Sequence, residues 1–346
     1  MKRALVTGGG GFLGGAIVDQ LLAEGYQVRS FSRGDYPLLR AKGVETIRGD
    51  LADLSAISVA AEGSDVVFHV AALAGIWGRK KDYDHANIIG TRNTLEAALR
   101  AKATRFVHTS SPSVCFDGKD HKRAGNTLPY SKKWLAHYPE SKAAGERLVL
   151  AANGKGGLAT VALRPHLIFG PGDPHLIPRL LERARAGRLA IVGDGENEVS
   201  MTFVGNAAHA HITAAHALES GVKAACAGQA YFVAQEEPVN LWEWVNELLQ
   251  SLGEPPIKRR MPRRVAFAAG ALCELAWNTL PLSGEPPMTR FVAMQLAASH
   301  SYDLSPLRND IGYVEQVDMH SATARLVESL RAERGLADVV SDGASQ

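Results

Sequence analysis

With 346 residues, 46% of them hydrophobic, and a formal charge of +2, the chain has room for one large domain or two modest ones with a sizeable core. Balanced charge gives no electrostatic reason for a nucleic-acid partner, and three scattered cysteines, Cys115, Cys226 and Cys273, make neither a disulfide framework nor a zinc site. No run reaches the ~18 apolar residues of a membrane span, and the stretch before the first glycines is too short for the apolar segment of a signal peptide, so a cytoplasmic globular protein is expected.

In chain order, Ala4-Leu5-Val6 reads as a buried strand and Phe12 to Glu24 as a helix with Leu13, Ile17 and Leu21 on one stripe. Val28 to Ser32 and Val44 to Arg48 read as the second and third strands, Asp65 to Val70 as the fourth, and Arg105 to Thr109 as the fifth. A helix carrying Thr91, Leu95, Ala98 and Leu99 lies between the last two. Another, beginning near Tyr138, leads to a sixth strand over Ala159 to Leu163. Strands alternating with helices predict right-handed crossovers and a doubly wound parallel sheet, a Rossmann α/β fold. After Arg164-Pro165 the character changes: Pro171, Pro174 and Pro178 punctuate, then helices alternate with short strands such as Tyr231-Phe232-Val233. The expected organisation is a nucleotide-binding domain over 1–165 and a smaller C-terminal α/β substrate lobe over 166–334, with segments returning to the sheet. The polar residues 335–346 are expected to form a disordered tail.

Glycine makes up about one residue in ten, against a usual ~7%, and part of the surplus has a clear place. Thr7-Gly8-Gly9-Gly10-Gly11-Phe12-Leu13-Gly14 follows the first strand and opens the first helix. Glycines there let the backbone turn sharply and approach a pyrophosphate, whose charge rests on the helix N-terminus. A bare G-x-G-x-x-G is a weak signal, but a strand before it and a helix after it strengthen it. Thr7, Gly8, Gly11, Phe12, Leu13 and Gly14 are therefore the candidate contacts to a dinucleotide. An acid at the end of the second strand would bind the ribose 2′-hydroxyl of NAD, whereas an arginine accommodates the 2′-phosphate of NADP. Here Ser32 and Arg33 end the strand, and Asp35 lies two residues on, beyond Gly34. NADP(H) is favoured, and NAD(H) stays open.

Tyr138 and Lys142 are four apart and so share one helix face; of the eight tyrosines, only Tyr138 has a lysine at that spacing. A phenol with pKa ~10 exchanges protons poorly at neutral pH unless its anion is stabilised. A neighbouring ammonium supplies that stabilisation and can also hold cofactor ribose hydroxyls. The carboxyl end of the fifth strand is also of interest, because an open α/β sheet presents its crevice at the carboxyl ends of its strands. The sequence there is His108-Thr109-Ser110-Ser111-Pro112-Ser113-Val114-Cys115.

The form Thr7-Gly8-x-x-Gly11-x-x-Gly14, with Tyr138-Pro139-Glu140-Ser141-Lys142, resembles the short-chain dehydrogenase/reductase superfamily, and the length resembles its extended branch. Further carriers are Asn87-Ile88-Ile89-Gly90-Thr91, Leu163-Arg164-Pro165 through Gly170-Pro171-Gly172-Asp173, and Phe203-Val204-Gly205-Asn206. Together they cover the chain to about residue 215. The resemblance implies an adenine contact from Asp50 and Leu51, for which helix capping by Asp50 is the plainer alternative. It also implies backbone contacts from Ala71 and Ala72 near the nicotinamide ribose, a contact from Pro165, and cofactor contacts from Tyr138 and Lys142 besides their catalytic part. Extended members carry the catalytic serine a few residues before a Val-Tyr-Gly-like turn. Ser111 takes that register, Ser113 is the fallback, and Val114-Cys115-Phe116-Asp117-Gly118 departs from the common turn. The implied catalytic set is Ser111, Tyr138 and Lys142, with no metal.

Within the superfamily, Thr109-Ser110-Ser111-Pro112 lacks the acids of sugar-nucleotide dehydratases, and Arg33 argues against the epimerases. His108 to Ser111, Pro129-Tyr130 and Arg164-Pro165-His166 look like the 3β-hydroxysteroid and sterol-4-carboxylate dehydrogenase group. Phe31-Ser32-Arg33-Gly34-Asp35-Tyr36-Pro37, Ser111-Pro112-Ser113-Val114 and Phe116-Asp117-Gly118 are similar to bacterial 2-alkyl-3-oxoalkanoate reductases of long-chain olefin biosynthesis. The resemblance thus implies NADPH-dependent reduction of a 3-oxo group on an apolar β-keto acid. The alternatives are a 3β-hydroxysteroid or sterol-4-carboxylate 3-dehydrogenase and a non-enzymatic NADP(H)-sensing regulator, although sensors usually lose the Tyr-x-x-x-Lys pair. A homodimer and a complex with enzymes of the same pathway are family expectations.

Trp242, Trp244, Phe267, Trp277 and Phe291, with the nearly uninterrupted apolar run Val265 to Trp277, suit an apolar substrate. Core packing of the lobe is the plainer reading. The basic run Lys258-Arg259-Arg260 and Arg263-Arg264 before that helix suggests either a solvated face or a peripheral membrane contact. His209, His211 and His216 have no carboxylate or thiolate at ligand spacing and read as structural or surface residues.

Overall fold

Neighbouring apolar side chains in the short strands sort onto opposite faces, because successive side chains of a strand point to opposite sides. The computed structural model describes residues 2–343, with side chains through residue 334. Seven parallel strands form the central sheet: β1 (Arg3–Thr7), β2 (Gln27–Ser32), β3 (Glu45–Arg48), β4 (Val66–His69), β5 (Arg105–Thr109), β6 (Ala159–Pro165) and β7 (Gln229–Val233). Their spatial order is β3-β2-β1-β4-β5-β6-β7. The order therefore reverses between β1 and β4, where an open sheet of this kind opens its ligand crevice.

Helices α1 (Phe12–Ala23), α2 (Leu54–Ala61), α3 (Gly90–Arg100) and α4 (His137–Ala152) follow β1, β3, β4 and β5. Beyond β6 come α5 (Leu176–Arg185) and α6 (Val204–Ala217), and the chain then returns to the sheet as β7. Ala4, Val6, Phe68, Val107 and Val161 bury against α1 and α6 on one face. Leu5, Phe31, Val67 and Phe106 bury against α2, α3 and α4 on the other. Tyr231-Phe232-Val233 is thus an edge strand of the first sheet. Its pairing of Val233 with Pro165 carries β6 two residues past the expected end at Leu163.

Four further helices, α7 (Leu241–Ser251), α8 (Arg263–Thr279), α9 (Arg290–Ala297) and α10 (Met319–Gly343), pack about a second core with Phe169, Ile177, Trp244, Leu248 and Leu326. A small sheet orders Val239–Asn240, Glu198–Val199, His300–Tyr302 and His121–Ala124. The expectation of a disordered tail over 335–346 falls on residues whose side chains, and for 344–346 the backbone too, lie outside those described.

α8 differs from the expectation of an apolar core helix. Val265, Leu272 and Leu275 are exposed, while Glu274 is buried. Glu274 accepts hydrogen bonds from the Arg290 backbone N–H at 2.7 Å and from Arg290 Nε at 2.6 Å. Gly270 explains the turn of that face inward, since a Cβ there would stand 2.6 Å from the Arg290 nitrogen.

Candidate active site

The loop after β1 is shaped by contacts that only glycine tolerates. Gly8 has φ +73°, and a Cβ on it would sit 3.0 Å from Ala71 Cα; one on Gly14 would meet the Gly8 carbonyl oxygen at 2.1 Å. Gly11 starts α1 without a side-chain cap, so the first-turn amides there are left to a ligand at the positive end of the helix dipole. Gly8, Gly11, Phe12, Leu13 and Gly14 line a cavity of about 850 Å³ along the carboxyl ends of the strands.

Thr7 stands apart from the other loop candidates: it is fully buried and does not line this cavity. Its Oγ1 accepts from the Val70 and Ala71 amides at 3.1 and 3.2 Å. Its hydroxyl must then donate to His69 Nδ1 at 2.9 Å, and His69 Nε2 donates to Thr91 Oγ1 at 3.0 Å. Burial pushes His69 down to about 3, so this tie between β1 and β4 holds in the neutral form.

Ser32, Arg33, Asp50, Leu51, Ala71, Ala72 and Pro165 all line the cavity. Ser32 Oγ is buried without a partner among the described residues, and the exposed Arg33 stands beside it. Asp35 is taken by Arg40, whose guanidinium holds the carboxyl below its usual range. Asp50 is not a helix cap: Asp53 caps α2, accepting from the Ser55 and Ala56 amides. Asp50 instead accepts from the Ala52 amide at 2.8 Å and meets His85 Nε2 at 3.2 Å. Tyr36, which sequence reasoning missed, lies over the glycine loop, where a Cβ on Gly10 would come 2.4 Å from its ring. Glycines tight enough for pyrophosphate and an orphaned hydroxyl at the strand end fit a dinucleotide.

Ser111, Tyr138 and Lys142 converge on the same cavity. A turn of 3₁₀ helix over Pro112–Cys115 brings Ser113 Oγ within 2.9 Å of Ser111 Oγ. Burial holds the Tyr138 phenol above its ordinary pKa, against the nearby Ser111 hydroxyl, which lowers it. Lys142, 3% exposed, donates from Nζ to the Thr109 carbonyl at 2.6 Å. Burial brings it down to about 8, against the opposing charge of Glu146. Glu146 is one turn further along α4 and receives Arg164 Nε and Nη2 at 2.9 and 2.6 Å.

A second residue of the site that spacing does not reveal is Asn87. It lies in a π-helical segment, Asp84–Ile89, of the kind often found at functional sites. Asn87 Nδ2 donates to the Leu73 carbonyl at 3.0 Å and to Ser141 Oγ at 2.9 Å. Ser141 in turn donates to the Tyr138 carbonyl at 2.9 Å, so Asn87 braces the first turn of α4. Gly145 permits this, because a Cβ there would fall 2.7 Å from the Asn87 carbonyl oxygen.

The far wall of the cavity is largely apolar, with Leu176, Leu180, Trp242, Val245, Phe291 and Leu296, and it carries Arg179, Arg183, His166, Gln295 and His300. Of the aromatic group noted in the sequence, Trp242 and Phe291 line it, Trp244 is core, and Phe267 is exposed. His211 is structural: it meets Thr109 Oγ1 at 2.8 Å and the Ala207 carbonyl at 2.7 Å. No described helix is long and apolar enough to cross a membrane.

Comparison with known proteins finds clear relatives of this chain. Residues 5–263 match the model of the 3-beta hydroxysteroid dehydrogenase/isomerase family. A 2-alkyl-3-oxoalkanoate reductase of Stenotrophomonas maltophilia is 48% identical over 333 residues, covering 95% of this chain and 100% of that protein. One of Shewanella oneidensis is 42% identical, covering 95% and 87%. Among solved structures, MoeE5 in complex with UDP-glucose and NAD superposes with a TM-score of 0.73 at 26% identity, over 96% of this chain and 99% of that one. The chain belongs to the 3-beta hydroxysteroid dehydrogenase/isomerase family of short-chain dehydrogenases/reductases, and is an NAD(P)-dependent oxidoreductase acting on CH–OH or C=O groups.

Proposed function

We propose that the protein reduces 2-alkyl-3-oxoalkanoates to 2-alkyl-3-hydroxyalkanoates with NADPH. The observation that carries the reading is the convergence of Ser111, Tyr138 and Lys142 on a cavity with an apolar far wall. Near-half identity to a reductase of that name over its full length supports the substrate class. Arg33 and the unpartnered Ser32 hydroxyl support the 2′-phosphate, with Asp35 engaged elsewhere. Phosphate charge also suits the α1 N-terminus. The substrate lobe is residues 166–334 and the nucleotide domain 1–165, with α6 and β7 lent back to the sheet. The protein works in the cytoplasm.

When bound, NADPH supplies the hydride. Everything else belongs to the chain. Ser111 Oγ donates to the ketone oxygen, on which charge develops. Tyr138 donates its proton to that oxygen, and its raised pKa keeps the phenol protonated at neutral pH, as the reducing direction requires. The Lys142 ammonium stabilises the tyrosinate that remains and holds the ribose hydroxyls. Asn87 and Glu146 fix α4 so that both groups keep their aim.

Tyr138→Phe is expected to abolish turnover of 2-alkyl-3-oxo acids while leaving NADPH binding nearly intact, as followed by NADPH oxidation and by fluorescence titration. Retained turnover sinks the assignment. A parallel panel of 3-oxosteroids separates the alkanoate reading from the steroid one, and NADPH binding without turnover of any carbonyl would favour a sensor.

A further inference from the structure

The cavity's far wall holds one polar pair that the hydride chemistry does not use. The pairing of Thr109 with Leu163 sets the register between β5 and β6. Ser111 lies two residues past Thr109 and His166 three past Leu163, just beyond the ends of neighbouring strands that run about 4.8 Å apart. His166 therefore stands at nearly the height of the catalytic serine, in the same cavity. Its ring meets that of His300, the two centroids 4.6 Å apart and nearly perpendicular.

Hydrogen-bond direction fixes the tautomers. The Gln295 carbonyl can only accept, so His300 Nε2 carries the hydrogen of their 2.9 Å bond. His300 Nδ1 is then a lone pair, and His166 Nε2 donates to it at 2.6 Å. That leaves His166 Nδ1 unprotonated, with no partner among the described residues. Adding one proton at this atom disturbs nothing else: His166 keeps its bond to His300 and gains a second N–H.

We propose that His166, oriented by His300, receives the carboxylate that a 2-alkyl-3-oxoalkanoate carries beside its ketone, taking up one proton from solvent as the acid binds. This rests on the substrate reading above and names how that acid is recognised. The surroundings explain why the proton waits for the ligand. Burial and the neighbouring His300 hold His166 well below its ordinary pKa, and among the described residues no carboxylate pairs with it. Tyr302 offers only its ring, 5.5 Å away. On the other side of the pair, His300 is lowered by burial and by His121, with Asp120 opposing. His121 Nε2 is itself paired with Asp117 at 3.1 Å, and Phe116 presents its ring edge-on to His300. The free pair is neutral at pH 7 and the occupied pair charged, so affinity for the acid weakens as pH rises, by up to about tenfold per unit.

Calorimetric titration of the NADP⁺-loaded wild-type protein with a 2-alkyl-3-hydroxyalkanoate, in two buffers of different ionisation heat at pH 7.5, tests this directly. Uptake approaching one proton per acid is expected, and none for its methyl ester. His166→Gln should remove the uptake and raise KM for the acid at least about tenfold more than KM for the ester, the loss of one charge-assisted bond. Binding of the acid without uptake overturns the inference. So does an equal rise in both KM values, or transfer of the acid-selective effect to Arg183→Gln. Failure of the wild type to turn over either acid or ester strikes the substrate reading itself, and this inference with it. Equal turnover of both without uptake strikes the inference alone.

Discussion

Lys142 shows how much one residue's setting matters. Its ammonium would ordinarily titrate at 10.5, and burial in the sheet crevice lowers it to about 8. The unfolded chain therefore holds that proton over a range where the folded one has lost it. By linkage, the buried charge costs stability in full below pH 8 and is relieved as pH rises toward 10.5. Activity runs the other way. In the proposed mechanism only the charged form would stabilise a tyrosinate and hold ribose hydroxyls, so kcat/KM for NADPH should be level below about pH 8 and fall up to tenfold per unit above it. Tyr138, held above its ordinary value, does not set that limb. A stopped-assay pH profile that stays flat to about pH 9.5 would contradict this. Tyr138 and Lys142 were legible because their relation is local, one helical turn. Asn87 and His166 were not, since what gives them meaning, Ser141 at 2.9 Å and His300 at 2.6 Å, lies 54 and 134 residues away.

Among the elements, β1 to β5 and α1 agree with the sequence reading to within about two residues, because period-two and period-3.6 patterns are written locally. α8 is the instructive departure. An apolar run with one glutamate suggests a core helix spoiled by a charge, yet the helix buries the glutamate and exposes the leucines. Composition alone cannot orient a helix whose faces are nearly equal in hydrophobicity. Glu274→Ala should destabilise the fold by about 2 kcal/mol, leaving the Arg290 amide without its acceptor. Leu272→Ser, at a side chain 68% exposed, should stay within about 0.5 kcal/mol. Urea denaturation of the two variants settles the order, and the reverse ranking would mean that α8 packs by its leucines.

At the scale of the whole molecule, the cavity joins parts far apart in sequence: the loop after β1, the end of β2, the turn after β5, α4, and the lobe through α5, α7 and α9. A dinucleotide bound across it stabilises all of them at once. NADPH at about a hundred times its Kd should add about 2.7 kcal/mol, seen as a rise in Tm, and NADH at the same concentration less. Arg33→Asp should reverse that order; equal shifts for the two cofactors in the wild type would remove Arg33 from its role. The Rossmann class, the glycine cradle and the Tyr138–Lys142 pair were legible in the amino-acid order, the first from strands alternating with helices and the others from spacing within one turn or helix. Packing in three dimensions settled that Asp35 beyond β2 is engaged by Arg40, which face of α8 is buried, and that two histidines 134 residues apart share a hydrogen bond. Those are matters of packing between remote segments, where burial and hydrogen-bond partners, rather than periodicity, set the chemistry.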